Sequence, residues 1–218
     1  MINKINNKIN TKLSNNNISI YSNNTTFTSK IDKDTEKLLE NLSNMQNISN
    51  VLTYANDELS KTKNYTKLSS GLFRYKNYII ALENSTVAQA TINNLLLLEN
   101  LNLSCVPKLI QIKKLEDDYT ALVLQISNKS DTTFSIYSQD KKDVPIDKKK
   151  IFLSDFDKMA EHNVYNPAIL NNTDDWLIKS EDKSLFIFDW SKLSYFISDE
   201  DKNEARKWIV NNCGLIYS

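Results

Sequence analysis

Hydrophobic positions along this 218-residue chain fall into two regimes. Residues 1–30 carry isolated isoleucines among Asn, Ser, Thr and Lys with no sustained period, a composition that cannot repay the entropy of ordering. They read as a disordered polar leader. From Asp34 a period sets in: Leu38, Leu42, Met45, Ile48 and Leu52 recur at three- and four-residue steps, on one helical face. Asp34 is the expected N-cap, Glu36 lies in the first turn, and a break is expected near Asn47.

Strand patterns follow. Leu72–Tyr75 and Tyr78–Leu82 are β-rich runs about the two-residue turn Lys76-Asn77. Thr86-Val-Ala-Gln89 has capping-box spacing and opens a helix marked by Ile92, Leu95, Leu98 and Leu101, closed by Pro107. Lys108–Ile112 and Tyr119–Ile126 read as strands about the acidic turn Glu116-Asp-Asp118. Residues 127–149 are polar and read as a solvated connection, after which Ile151–Glu161 carries Phe152, Phe156 and Met159 at helical spacing. Beyond the turn signal Asn166-Pro167, Trp176–Ile178 and Ser184–Phe188 form an expected hairpin. Ser198, with Asp199, Glu200 and Asp201, opens a last helix bearing Ala205, Trp208 and Ile209, which Gly214 ends. The expected organisation is a leader over 1–30, a helix with a sheet-and-helix lobe over 31–126, and a reduced helical lobe with a hairpin over 127–218.

Composition narrows the chemistry. Lys plus Arg and Asp plus Glu each total 27, so no net field draws the chain to nucleic acid, and aspartates interleave the Lys141-Lys142 and Lys148–Lys150 runs. Neither a nucleic-acid partner nor a membrane span is expected, since no stretch approaches the roughly 18 consecutive apolar residues a span needs. Cys105, Cys213 and His162 are the only thiols and imidazole, too few for a zinc site without a carboxylate, and His162 reads as a helix-end residue. The two cysteines read as buried reduced thiols. Two glycines, Gly71 and Gly214, stand far apart, which excludes a P-loop or Rossmann fingerprint and leaves little room for a regular glycine-rich kinase loop, since each cradles phosphate with closely approaching backbone amides. The leader has no apolar core before a cleavage site; its composition is compatible with contact-dependent export of a bacterial effector.

One segment carries a resemblance. A small sheet with one helix, then a linker, a helix, a turn and a hairpin ending in aspartate is the layout of a protein kinase's two lobes. The stretch from Asn171 through Asp174-Asp175-Trp176 to Phe188-Asp189-Trp190 resembles the catalytic-loop asparagine, hairpin and metal-binding aspartate of the minimal effector kinases of enteric bacteria, the OspG and NleH type. The resemblance implies an α+β, small two-lobed protein-kinase-like fold with a reduced C-lobe. It covers about twenty residues ungapped, with element order in support over 65–218.

Carried over position by position, the resemblance puts Asp189 where the family holds Mg²⁺ and Asp175 where its asparagine holds a second metal. The catalytic aspartate falls on Leu170, which does no acid-base work. The strand Ile79-Ile-Ala-Leu-Glu83 places a carboxylate where a phosphate-pairing lysine is required, and Asn93 or Asn94 stands where that lysine's glutamate partner belongs. Phosphoryl transfer depends on electrostatic stabilisation, so reversing this charge is worse than losing a contact.

Three readings follow. The first is a secreted bacterial effector with a catalytically inactive kinase-like domain, a pseudokinase without cofactor, that binds a host or partner protein; the resemblance implies a ubiquitin-charged conjugating enzyme as one such partner. The second is an active divergent kinase or nucleotide transferase using Mg-ATP, with Asp189 and Asp175 or Asp174 as metal ligands and Lys76 or another lysine as the cation. The third is a generic α+β interaction module, with Asp189 and Asp174-Asp175 as ordinary turn residues. The expected location is the host cell after secretion, or the cytoplasm.

Overall fold

Residues 31–126 and 132–215 are described by the structure, a computed structural model. The expectation for residues 1–30 lies outside them. The first period becomes two helices, α1 (Lys33–Ser43) and α2 (Ile48–Asp57), split by Asn47, whose side chain accepts from the Asn50 amide at 2.9 Å. The α1 cap is Asp32 rather than Asp34. Asp32 has the extended backbone a cap requires, and its Oδ1 accepts from the Asp34 and Thr35 amides at 3.1 and 3.2 Å.

An antiparallel sheet follows, built from β1 (Tyr65–Ser69), β2 (Leu72–Tyr75), β3 (Tyr78–Asn84), the helix α3 (Ser85–Glu99), β4 (Lys108–Lys114) and β5 (Tyr119–Gln125). Its order is β1-β2-β3-β5-β4. The pattern of β1 gives no strand signal because this edge strand fully buries no side chain. Helix α3 is capped by Asn84, which accepts from the Val87 amide at 3.0 Å, so Thr86 lies in the first turn instead of capping it.

The central strand β3 is buried on both faces, and its alternation separates two cores. Ile80 and Leu82 join Phe73 and Val123 beneath Leu38, Leu42 and Val51 of α1 and α2. Ile79 and Ala81 join Leu122 and Leu124 against Ile92 and Leu95 of α3, and that cluster continues through Phe152, Phe156 and Trp176 into the second half.

The second half contains β6 (Phe134–Ile136), α4 (Tyr137–Asp140), α5 (Ile146–Glu161), β7 (Val164–Tyr165), α6 (Pro167–Asn171), β8 (Leu177–Lys179), β9 (Leu185–Phe186), β10 (Ser194–Tyr195) and α7 (Asp199–Cys213). The hairpin forms as its pattern indicates, with Leu177 opposite Phe186 and Ile178 opposite Leu185. The described part of 127–149 is not a solvated connection: β6 adds a third strand beside β8, Tyr137 is fully buried, and α5 begins at Ile146 instead of Ile151. Lysines are good helix formers, so the Lys148–Lys150 run extends α5 without contributing an apolar period. Ser198 caps α7 and Gly214 ends it in the left-handed region at φ 65°. The result is an α+β fold of two lobes.

A buried carboxylate links the halves. Asp155 of α5 accepts from the Ser104 amide and hydroxyl at 2.7 and 2.6 Å and from the Cys105 amide at 3.0 Å, fixing the turn between α3 and β4. Cys105 and Cys213 are buried free thiols, and His162 caps the end of α5 with Nδ1 3.0 Å from the Lys158 carbonyl. Among the described residues no helix is long and apolar enough to cross a membrane, and no group of three or more metal-ligating side chains is assembled.

Candidate functional site

The site grows from two buried tryptophans. Asp175 and Asp189 each precede an indole that is fully enclosed: Trp176 donates to the Ile169 carbonyl at 3.1 Å and Trp190 to the Ile187 carbonyl at 2.8 Å. Anchored this way, both aspartates sit exposed on one cleft of about 330 Å³, together with Asp174, Asn171 and Lys192. The backbone at Asp189-Trp190 is held from both lobes. Asn166 donates to the Asp189 carbonyl at 2.6 Å while its Oδ1 caps α6 through the Ala168 amide, and Asn94 of α3 donates to the Trp190 carbonyl at 2.9 Å.

Asp189 also has a turn role. Its Oδ1 accepts from the Ser191 amide and hydroxyl at 2.9 and 2.6 Å, which leaves Oδ2 for any ligand. Partial burial, followed by the charges of Asp174 and Asp189, raises the Asp175 carboxyl above its ordinary range. Hydrogen bonds from Ser138 and Asn172 lower Asp174.

Glu83 occupies the β3 position where the kinase resemblance expects a cation. Its Oε2 accepts from Thr91 Oγ1 of α3 at 2.9 Å, so the partner across the two elements is Thr91 and neither Asn93 nor Asn94. Asn93 instead accepts from Gln89 along α3, and Asn94 reaches Trp190, because helical rotation carries them past the strand. Burial raises the Glu83 carboxyl; the Thr91 hydrogen bond opposes this and the charge of Asp189 adds to it. The acidic side chains at this end of β3 therefore repel one another, and Lys192 is the only cation lining the cleft among the described residues.

Two expected positions move. Leu170 does not line this cleft: the helical turn of α6 puts it in a neighbouring apolar groove, while Pro167, Ala168 and Asn171 line the cleft and none of them is a base. Lys76, offered as a substitute cation, is paired with Asp32 and Asp34 at 2.5 and 2.8 Å at the far end of β3, tying the β2–β3 turn to α1. Asn166 was legible only as a turn signal; Asn before Pro at the first helical position is the capping signature that identifies it.

Mg-ATP tests poorly against these residues. Asp175 and Asp189 offer oxygens suited to a divalent ion, but Glu83 stands where the kinase resemblance expects the cation that a triphosphate would need. The β1–β2 turn gives no amide cradle, since Gly71 is closed onto β3 by the Leu82 amide at 2.7 Å and an added Cβ would meet the Leu82 carbonyl oxygen at 3.1 Å. A pH dependence follows from Glu83. With its folded pKa raised above the unfolded value, it favours folding in acid, and that contribution is lost as pH rises through the folded pKa. Glu83→Gln is therefore expected to stabilise the protein near neutral pH and to have little effect at about pH 4, as urea unfolding at both pH values would measure. Destabilisation at neutral pH would contradict the repulsion.

No protein-family model matches the chain, and no curated protein matches it in sequence. Among solved structures it is similar to the PK-1 kinase of Cydia pomonella granulovirus, with 16% identity, TM-score 0.44, and coverage of 69% of this chain and 58% of that one. It is also similar to a chain of the yeast RNA polymerase II CTD kinase complex CTDK-1, with 14% identity, TM-score 0.43, and coverage of 63% and 49%. The chain thus spans about half the length of these kinases.

Proposed function

We propose that this chain is a protein-kinase-like domain that does not transfer phosphate and acts by binding a protein partner. The observation that carries this reading is Glu83 on β3, half-buried, hydrogen-bonded to Thr91 and subject to the charge of Asp189. A carboxylate here repels the phosphates that a cation would hold, and no side chain on α6 supplies a base. The resemblance to effector kinases supports export into a host cell, with a ubiquitin-charged conjugating enzyme as the first partner to test.

A second reading is favoured by Lys192, which shares the cleft with Asp174, Asp175 and Asp189 and would serve a divergent transferase as its cation. Incubation with Mg²⁺ and ATP labelled at the γ-phosphate separates the two. The proposal expects no label on the protein or on added acceptor proteins. Label that disappears in both Asp189→Ala and Lys192→Ala supports the transferase.

A further inference from the structure

A second depression adjoins the cleft and shares Pro167 and Asn171 with it. This groove of about 190 Å³ has an apolar floor of Leu170, Phe196, Ala205 and Trp208. Two of its borders, Tyr195 and Ile197, are 44% and 67% exposed, the latter the most exposed large hydrophobic among the described residues. Its charges have one sign. Asp201 and Glu204 of α7 line it, no Lys or Arg does, and Glu204 makes no ion pair among the described residues. The charge of Asp201 is felt inside: the Tyr165 hydroxyl is raised by burial first, against a hydrogen bond with Ser194, and then by Asp201.

The chain itself contains a complementary segment. Residues 1–30 hold four lysines and no acidic residue. Within them, Asn3-Lys4-Ile5-Asn6, Asn7-Lys8-Ile9-Asn10 and Thr11-Lys12-Leu13-Ser14 repeat one four-residue unit, a lysine followed directly by Ile or Leu between polar residues. We propose that residues 3–14 dock into this groove of their own molecule, setting Ile or Leu side chains on the Leu170–Phe196–Trp208 floor and lysines against Asp201 and Glu204. Reach is sufficient. The stretch between Leu13 and Ile31 can extend about 55 Å, against a radius of gyration of about 16 Å for a domain of this size. Tethering raises the local concentration to roughly millimolar, so a weak contact is enough to be populated.

The docking is independent of any nucleotide site and stands whether or not the chain binds ATP. It is tested in the full chain with a nitroxide on Asn6→Cys, since Cys105 and Cys213 are buried and leave the new thiol as the one to label. Paramagnetic broadening of NMR signals is expected at Leu170, Ile197 and Ala205, and not at Ile146 and Ile151, which are exposed apolar residues elsewhere. Glu204→Lys, or Lys4→Glu with Lys8→Glu and Lys12→Glu, should lower the broadening at the groove to the level at Ile146. Joining the two reversals should restore it. Equal broadening at Ile146 and Ile151, none at the groove, or indifference to either charge reversal would overturn the proposal. So would broadening that vanishes on dilution, because the segment would then come from a second copy.

Discussion

Replacing Phe186 by Ala is expected to destabilise the protein by about 3–5 kcal/mol, whereas Phe188→Ala should cost roughly 1–2 kcal/mol. The hairpin pattern treats the two as equivalent, but the structure separates them. Phe186 is 1% exposed, with its ring against Phe134 and Phe188 at 5.9 and 5.3 Å and the Lys179 ammonium over it. Phe188 is half-buried and borders the cleft, so its truncation opens to solvent and leaves no sealed void. Urea unfolding of both variants measures the difference, and equal losses would contradict this placement.

Asp155→Ala is expected to cost about 2–3 kcal/mol, because it leaves the buried Cys105 amide unpaired, at about 1–3 kcal/mol for such a group, and removes two part-buried hydrogen bonds to Ser104. A local signature should accompany the loss. Cys105, now fully buried, sits in the turn that Asp155 clamps, and its carbonyl accepts from the Ile187 amide at 3.2 Å. Releasing the clamp should let a thiol reagent reach Cys105 in a variant that is still folded. Unchanged stability and a protected thiol would show that α5 and the α3–β4 turn are held by packing alone.

Elements with a strong period were legible in the sequence, and elements whose signal lies in their neighbours were not. The split at Asn47, the hairpin at Trp176–Phe188 and the Ser198-to-Gly214 helix follow from capping residues and apolar spacing. β1 and β6 escaped because an edge strand and a three-residue strand bury too little to impose alternation. At the site, Asp189 was legible as matching the kinase pattern and Asp175 and Glu83 as departing from it, because their charge is visible without coordinates. Their partners were not. Thr91, Asn166 and Lys192 reach the site through the rotation of α3, the capping of α6 and the turn after Trp190, and ungapped counting from Asp175 could not show that α6 turns Leu170 into another groove. Lys76 looked available because its pairing with Asp32 and Asp34 crosses 42 residues or more of sequence.

The proposal turns on Glu83, a carboxylate at the β3 position where the kinase resemblance expects the phosphate-pairing cation. Thermal unfolding of the full chain with and without millimolar Mg-ATP tests this most directly, since a ligand that binds only the folded state must raise the melting temperature. The expected result is a shift no larger than about 1 °C, the same in wild type and Asp189→Ala. A rise of roughly 5 °C in wild type that disappears in Asp189→Ala would contradict it.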